Sequence, residues 1–347
     1  MTPAQRRSIL LVSALAVVLL AEAGARVLSP YLDEPDAWGD RARAVKVAQL
    51  DDRAATGGCV DVVVAGNSMA RDGIVPSIMM ASDPEGRSVY NAALDAAGPA
   101  LVEPWLVDHV LPRVEPATVL LVVATPDLNP SAPASRAAAD NYRSSLAGSP
   151  GAFGAVHRWL TDHVALVRTR AMLRSPDAID DAIDRWRRDE PAPRTAPDTL
   201  SNVLGSDGEG RSRSDLLRQP GAPVSAFVTE QLLADFTVAP EATETLAALA
   251  VAVRARGAEP AFVILPVTDA FVDAHPNGQA DLDATRAAVA AAASGADAPL
   301  VDLSDAAVPD DGFADSHHLN AVGARAVSEA LPAALERAGV PVRHCRP

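Results

Sequence analysis

Val60-Asp61-Val62-Val63-Val64-Ala65, followed at once by Gly66-Asn67-Ser68, is the stretch on which the fold turns. A run dominated by β-branched valine and cut off by a glycine reads as a short strand buried on both faces, the kind found inside parallel sheets. Similar runs recur downstream. Residues 88–93 (SVYNAA) read as a weaker second strand, 118–124 (TVLLVVA) as a strong third broken by Pro126, 261–265 (AFVIL) as a fourth and 300–303 as a short fifth. Helical stretches separate them: 101–110, stopped near Pro112; 240–256, with Leu246, Leu249 and Val253 inward and Gly257 as its stop; an alanine-rich 285–293; and 321–338, with Val327, Leu331 and Leu335 inward. Strands alternating with helices imply an α/β protein, a mostly parallel sheet covered by helices on both faces. Ligands in such sheets bind beyond the carboxyl ends of the strands, so the residues that follow each strand are the ones to read for chemistry.

Composition narrows the chemistry. The 347 residues are 48% hydrophobic and 22% charged, a globular balance, and a chain of this size buries enough surface to need no metal or disulfide staple. A formal charge of −15 argues against a general nucleic-acid binder, which needs a basic face for phosphates. Aromatic residues make up only 4%, against a carbohydrate platform of many stacked rings. Lys46 is the only lysine and falls in a segment read as linker, so the folded domain offers none for a Schiff base or a phosphate loop. No Gly-x-Gly-x-x-Gly follows the first strand and no P-loop is present, which disfavours a nucleotide-binding domain. No cofactor is expected.

The ends of the chain suggest export. Arg6 and Arg7 precede an apolar run from Ile9 to Ala21, the pattern of an export signal. As a helix, residues 8–28 span about 31 Å, just enough for a bilayer. Glu22 and Arg26 then pair near the outer interface. Alternatively, Ala21-Glu22-Ala23 or Ala23-Gly24-Ala25 serves as a cleavage site and the protein is secreted. Either way the rest of the chain lies outside the cytoplasm. The organisation expected is a signal-anchor over 1–28, a linker over 29–58 carrying at most one short helix, and one large domain over 59–347, with 131–225 as a helical and loop insert or lid. Within that insert Ser175-Pro176-Asp177 starts a helix with Ile179, Ile183 and Trp186 on one packing face. Cys59 and Cys345 are the only cysteines; in an oxidising compartment they form either a bridge or two free thiols.

Two fragments at strand ends carry the chemistry. Ser68, at a tight turn after the first strand, projects its Oγ over the sheet end with backbone N–H groups nearby; it also suits a helix cap. Asp315-Ser316-His317-His318-Leu319-Asn320 stands before the closing helix. An aspartate three residues ahead of a histidine can accept its Nδ1–H and leave the imidazole free as a general base. The parallel sheet brings both fragments to one rim. Gly66-Asn67-Ser68 and Asp315-x-x-His318-Leu319-Asn320-x-x-Gly323 resemble the first and last blocks of the SGNH (GDSL-type) hydrolase superfamily, closest to its membrane-anchored bacterial branch of polysaccharide acyltransferases and esterases. The resemblance covers 60–130 and 240–335. It implies a three-layer α/β/α fold with a flavodoxin-like sheet, Ser68 as nucleophile, His318 as base and Asp315 as its orienting acid. It also implies a glycine N–H from the second block, for which Gly98 is the candidate. The third block departs from the family: Ala124-Thr125-Pro126-Asp127-Leu128-Asn129 puts Pro126 where the usual asparagine donor stands. Asn129, Asn67 or Asp127 are left to complete the oxyanion and substrate contacts. His317 takes a position usually held by a small residue and reads as lying beside the site or on the surface.

The resemblance implies an exported serine esterase that removes small acyl groups from a cell-surface glycan or lipid. The alternatives are an O-acyltransferase working with a membrane acyl-donor partner, and a non-catalytic glycan binder.

Overall fold

The structure is a computed structural model that describes residues 3–33, 38, 40–145, 156, 159–161, 163–170, 172–196, 200, 203–219, 221–341 and 343–345. Parts of the expected insert 131–225, including 146–155 and 197–199, thus lie outside the described residues. The chain divides into two units, residues 1–41 with 143–195, and 42–142 with 196–347.

The second unit holds the sheet. In chain order its elements are α2 (Arg41–Ala55), β1 (Val62–Ala65), α3 (Ser68–Gly73), α4 (Pro76–Ser82), β2 (Val89–Asn91), α5 (Pro99–Trp105), β3 (Thr118–Val122), α6 (Pro133–Ser144), α8 (Ala242–Ala255), β4 (Glu259–Ile264), α9 (Asp269–Asp273), α10 (Gln279–Gly295), β5 (Leu300–Asp302) and α11 (Ala321–Arg337). In the first unit, α1 spans Pro3–Leu28 and α7 spans Pro176–Arg188. The five strands are all parallel in the order β2-β1-β3-β4-β5, so the valine run of β1 lies between β2 and β3. Both faces of β1 are buried, as its lack of polar alternation requires. Val62 and Val64 point into one core with Leu120, Val263 and Val301, closed over by Met69 from α3, Ile74 just after it, and Val327 and Leu331 from α11. On the other face α5 packs on α8, and α8 packs on β4 and α10. The helix expected to stop near Pro112 continues from α5 through a π turn, Leu106–Val110, into a last turn, Leu111–Val114.

Part of the segment read as linker is α2, a fifteen-residue helix with Arg43, Lys46 and Gln49 buried. Lys46 is therefore inside the folded unit. Its Nζ donates to the carbonyls of Asn91 and Gly208, and burial, aided by the charge of Arg71, lowers the amine to about 7. The cysteines form a bridge, Cys59–Cys345, with Cα atoms 5.9 Å apart.

The expected membrane anchor is not supported by helix length and hydropathy: among the described residues no helix is long and apolar enough to cross a membrane. What α1 does show is a row of exposed apolar side chains, Ile9, Leu10, Val12, Leu15, Val17 and Leu20 among them. Its far end is tied into the first unit. Glu22 accepts hydrogen bonds from the N–H groups of Ala165 and Leu166 at 2.9 and 3.0 Å and pairs with Arg26 at 2.7 Å. In α7 the expected packing face is only half formed: Ile179 and Ile183 are half-buried, whereas Trp186 is exposed.

Candidate active site

Ser68 is placed by the residues on either side of β1's end. Gly66 has φ +144°, and a Cβ there would come 2.5 Å from the carbonyl oxygen of Val122, so only glycine fits the turn. Asn67 caps α3, its Oδ1 accepting from Met69 N–H at 2.8 Å. Ser68 is then the first helical residue, whose N–H has no acceptor within the helix.

The loop 313–319 folds back on itself through a bridge between Phe313 and Leu319 and a hydrogen bond from Ala314 N–H to His318 O. Asp315 Oδ1 accepts from the N–H groups of His317 and His318, both at 2.9 Å, which fixes the carboxylate on its own loop. Its Oδ2 lies 2.7 Å from His318 Nδ1, and His318 Nε2 lies 2.8 Å from Ser68 Oγ. Residues 250 positions apart thus meet in one hydrogen-bonded chain. Burial raises the Asp315 carboxyl, but the hydrogen bond and charge of His318 outweigh it and hold the group well below the ordinary carboxylate range. Asn320 caps α11, its Oδ1 facing the N–H of Val322 and Gly323, while its Nδ2 donates to Leu216 O and Asp311 O. A Cβ on Gly323 would sit 2.1 Å from Gly312 O, so this glycine allows the loop to close on the helix. Thr268, at the start of α9, donates its Oγ to Ser316 O at 2.7 Å.

The oxyanion candidates fare differently. Asn67 Nδ2 lies 3.0 and 2.8 Å from the two carboxylate oxygens of Asp127, and Asp127 Oδ2 also accepts Ala124 N–H. Both side chains are spent on each other, beneath the nucleophile turn. Burial pushes the Asp127 carboxyl up to about 7 against those two donors. Asn129 donates to Leu232 O and Ala234 O and accepts Ser131 N–H, so no amide hydrogen is left for a substrate oxygen. Gly98 caps α5 with its Cα region against Asp127 and Ser135. The N–H of Ser68 is a donor in place at its own hydroxyl, and the N–H of Gly98 at the start of α5 remains the second candidate.

Composition, rich in Pro, Ser, Gly and charge, marks 189–224 only as a long loop or lid and does not foretell the bonded strap at 203–219. Gly210 N–H donates to Arg71 O, Arg213 Nη1 to Asp72 Oδ2 at 2.6 Å, Arg218 N–H to Phe313 O, and Ser214 O accepts from Ala321 N–H. The segment is therefore bound both to the helix that begins at Ser68 and to the 313–321 segment. Its glycines were the available signal: a Cβ on Gly208 would meet Asn91 O at 2.2 Å, and one on Gly210 would meet Asp72 Oδ1 at 1.9 Å. His317 is buried rather than on the surface. Among the described residues, Asp315, His317 and His318 bring nitrogen and oxygen atoms within 4.8 Å of one another. The 2.7 Å Asp315–His318 contact within that group is a hydrogen bond.

No known family's sequence profile matches the chain, and no curated protein matches it. Among solved structures it is similar to a carbohydrate acetylesterase family member from Sinorhizobium meliloti, at 14% identity over 81% of this chain and 100% of that one, with a TM-score of 0.33.

Proposed function

We propose that the protein is a serine esterase that acts through an acyl-enzyme on Ser68. One observation carries the reading: the unbroken sequence Ser68 Oγ, His318 Nε2, His318 Nδ1, Asp315 Oδ2, at 2.8 and 2.7 Å. A serine hydroxyl is almost fully protonated at neutral pH and needs a base. His318 takes its proton as Oγ attacks an ester carbonyl. Asp315, kept ionised, holds the ring and supports the imidazolium that forms. The Ser68 N–H faces the developing oxyanion. The protonated His318 then releases the alcohol, and water or a sugar hydroxyl attacks the acyl-Ser68 with His318 again as base. The substrate class is a small acyl ester, such as an acetyl group, on a cell-surface glycan or lipid.

We propose further that the chain is exported and held at the membrane by α1. The arginine pair, the exposed apolar side chains of α1 and the disulfide support that reading. The bonds of Glu22 to Ala165 and Leu166 favour a retained helix, since cleavage after Ala23 would remove that cap. Intact mass of the protein from the membrane fraction tests this; a mature chain starting at Gly24 or Arg26 would refute it.

The catalytic reading is tested with a fluorophosphonate probe and p-nitrophenyl acetate. Wild type should label and turn over. Ser68→Ala should lose both, by at least ~10³-fold in rate, with melting nearly unchanged. Wild-type turnover in Ser68→Ala would refute the assignment.

A further inference from the structure

A crevice of about 630 Å³ opens where the chain enters the sheet. Its walls are the stretch 111–117 ahead of β3, the turn at Arg256 and Gly257 ahead of β4, and residues 343–345 of the tail. All five strands are parallel, so these entries lie at the end of the sheet opposite Ser68. The walls are fastened to the sheet. Glu259 N–H donates to Ala117 O at 2.9 Å, and the tail is held by the Cys59–Cys345 bridge and by Cys345 N–H on Asp61. The volume falls within the ~300–1,000 Å³ of small-molecule sites and exceeds what a bare anion fills.

The charge of the crevice runs against that of the chain. The protein has 45 acidic and 30 basic residues, yet Arg256, Arg343 and His344 line the crevice against Glu115 alone. Neighbouring carboxylates do not cancel this excess. Glu259 is divided between two guanidinium groups, Arg343 at 3.2 Å and Arg254 at 3.7 Å. Asp61 lies 3.4 Å from His344 Nδ1 but already accepts the N–H groups of Cys345 and Ser88. Arg256 is exposed and, among the described residues, forms no ion pair. Leu111, Pro112 and Pro116 add apolar surface.

We propose that the crevice is a second binding site, for an anionic sugar. A phosphate or carboxylate on the sugar meets the guanidinium groups of Arg256 and Arg343, each of which can present two parallel N–H donors to such a group. Glu115 repels a bare anion but accepts hydroxyl groups, and the prolines cover the C–H face of the ring. The arginines thus select the anion, and Glu115 with the apolar surface selects a hydroxylated carrier. The site does not rest on the esterase reading, since it shares no residue with the triad.

The test follows the backbone amide signals of Ala117, Gly257 and Cys345 by NMR in the oxidised full chain, during titration with glucose 6-phosphate and, separately, with galacturonic acid. At least one of the two should give saturable shifts confined to these walls, with a Kd below about 10 mM. The stronger of them tells which anion the guanidinium groups take. Glucose should give no shift, and inorganic phosphate should bind at least about threefold more weakly than the stronger sugar. Arg256→Ser and Arg343→Ser should each weaken binding about tenfold. Arg325→Ser, which removes the same charge from an exposed position on α11, should change it less than about twofold. The absence of saturable shifts with both acidic sugars overturns the proposal without any variant. So does glucose or inorganic phosphate that binds as tightly as the stronger sugar, because the site would then not read anion and carrier together. Unchanged binding in both crevice variants, or an equal loss in Arg325→Ser, overturns it as well.

Discussion

Asp315 and Asp127 are two carboxylates of the same rim with opposite electrostatics. Asp315 spends Oδ1 on two backbone N–H groups and Oδ2 on His318, and its proton affinity is depressed. Its share of stability is present above the unfolded value of about 3.9 and is lost as pH falls toward the folded one. Asp315→Asn keeps the shape but offers His318 a neutral partner that can hold the wrong tautomer. It should cost ~10²–10⁴-fold in kcat/KM with a small change in melting, read from ester hydrolysis and thermal melts side by side. Asp127 behaves in the reverse way. Unfolded it ionises near 3.9; folded, near about 7. Between those values the native state binds the extra proton, so this group's contribution to stability falls as pH rises through the window and is level above it. Urea midpoints taken between pH 4 and 8 should therefore decline more steeply for wild type than for Asp127→Asn. Equal slopes would show that the Asn67 amide keeps Asp127 ionised after all. In the variant an amide would face the Asn67 amide, so near pH 4 its stability should lie ~1–3 kcal/mol below wild type, with the gap closing as pH rises.

At the scale of elements, the strap at 203–219 makes the rim a rigid construction. It bonds to α3 through Gly210 and Arg213 and to the 313–321 segment through Ser214, Leu216 and Arg218. Gly210→Ala drives a methyl group to within 1.9 Å of the buried Asp72 carboxylate, so strap and nucleophile helix must separate. We expect a loss of ~1–3 kcal/mol and a fall in ester turnover larger than the stability loss explains. Gly295→Ala, at the end of α10 with nothing within 4 Å of the new Cβ, should be neutral or slightly stabilising in the same melts. The contrast also explains what the sequence could reveal. The strands were legible because burial on two faces demands runs such as VDVVVA and TVLLVVA, and parallel pairing delivers all their ends to one rim. Ser68 and the Asp315–His318 pair were legible because each sits in a local turn whose spacing is itself the signal. The strap was not, because it works through backbone N–H and carbonyl groups, which leave no periodicity. At α2 only a short helix in a linker was legible, not fifteen residues built into the folded unit, because its inward face carries Arg43, Lys46 and Gln49, and buried charge imitates a solvated linker.

Across the second unit as a whole, the disulfide and the candidate active site occupy opposite ends of the strands. Cys59 precedes β1, whereas Ser68 follows it. Around the bridge, Asp61 accepts from Cys345 N–H at 2.6 Å with one oxygen and from Ser88 N–H, also at 2.6 Å, with the other, so the chain terminus is fastened to the strand entry by more than one bond. The bridge closes a loop of 286 residues, and in the chain-entropy account such a constraint on the unfolded state is worth ~5–6 kcal/mol. The rim gains its rigidity separately, from the strap and the caps at Asn67 and Asn320. Stability and turnover should therefore come apart. The Cys59→Ser, Cys345→Ser double variant is expected to melt several degrees lower than the oxidised protein, and wild type treated with reductant should match it. Its kcat/KM at 25 °C should stay within about twofold of wild type, because a native fraction that remains near unity leaves the triad distances untouched. Thermal melts and initial rates on one preparation decide the point. A turnover that falls in step with melting would mean that the clamp at the strand entry sets the geometry of the far rim, and that the strap alone does not hold Ser68 and His318 in register.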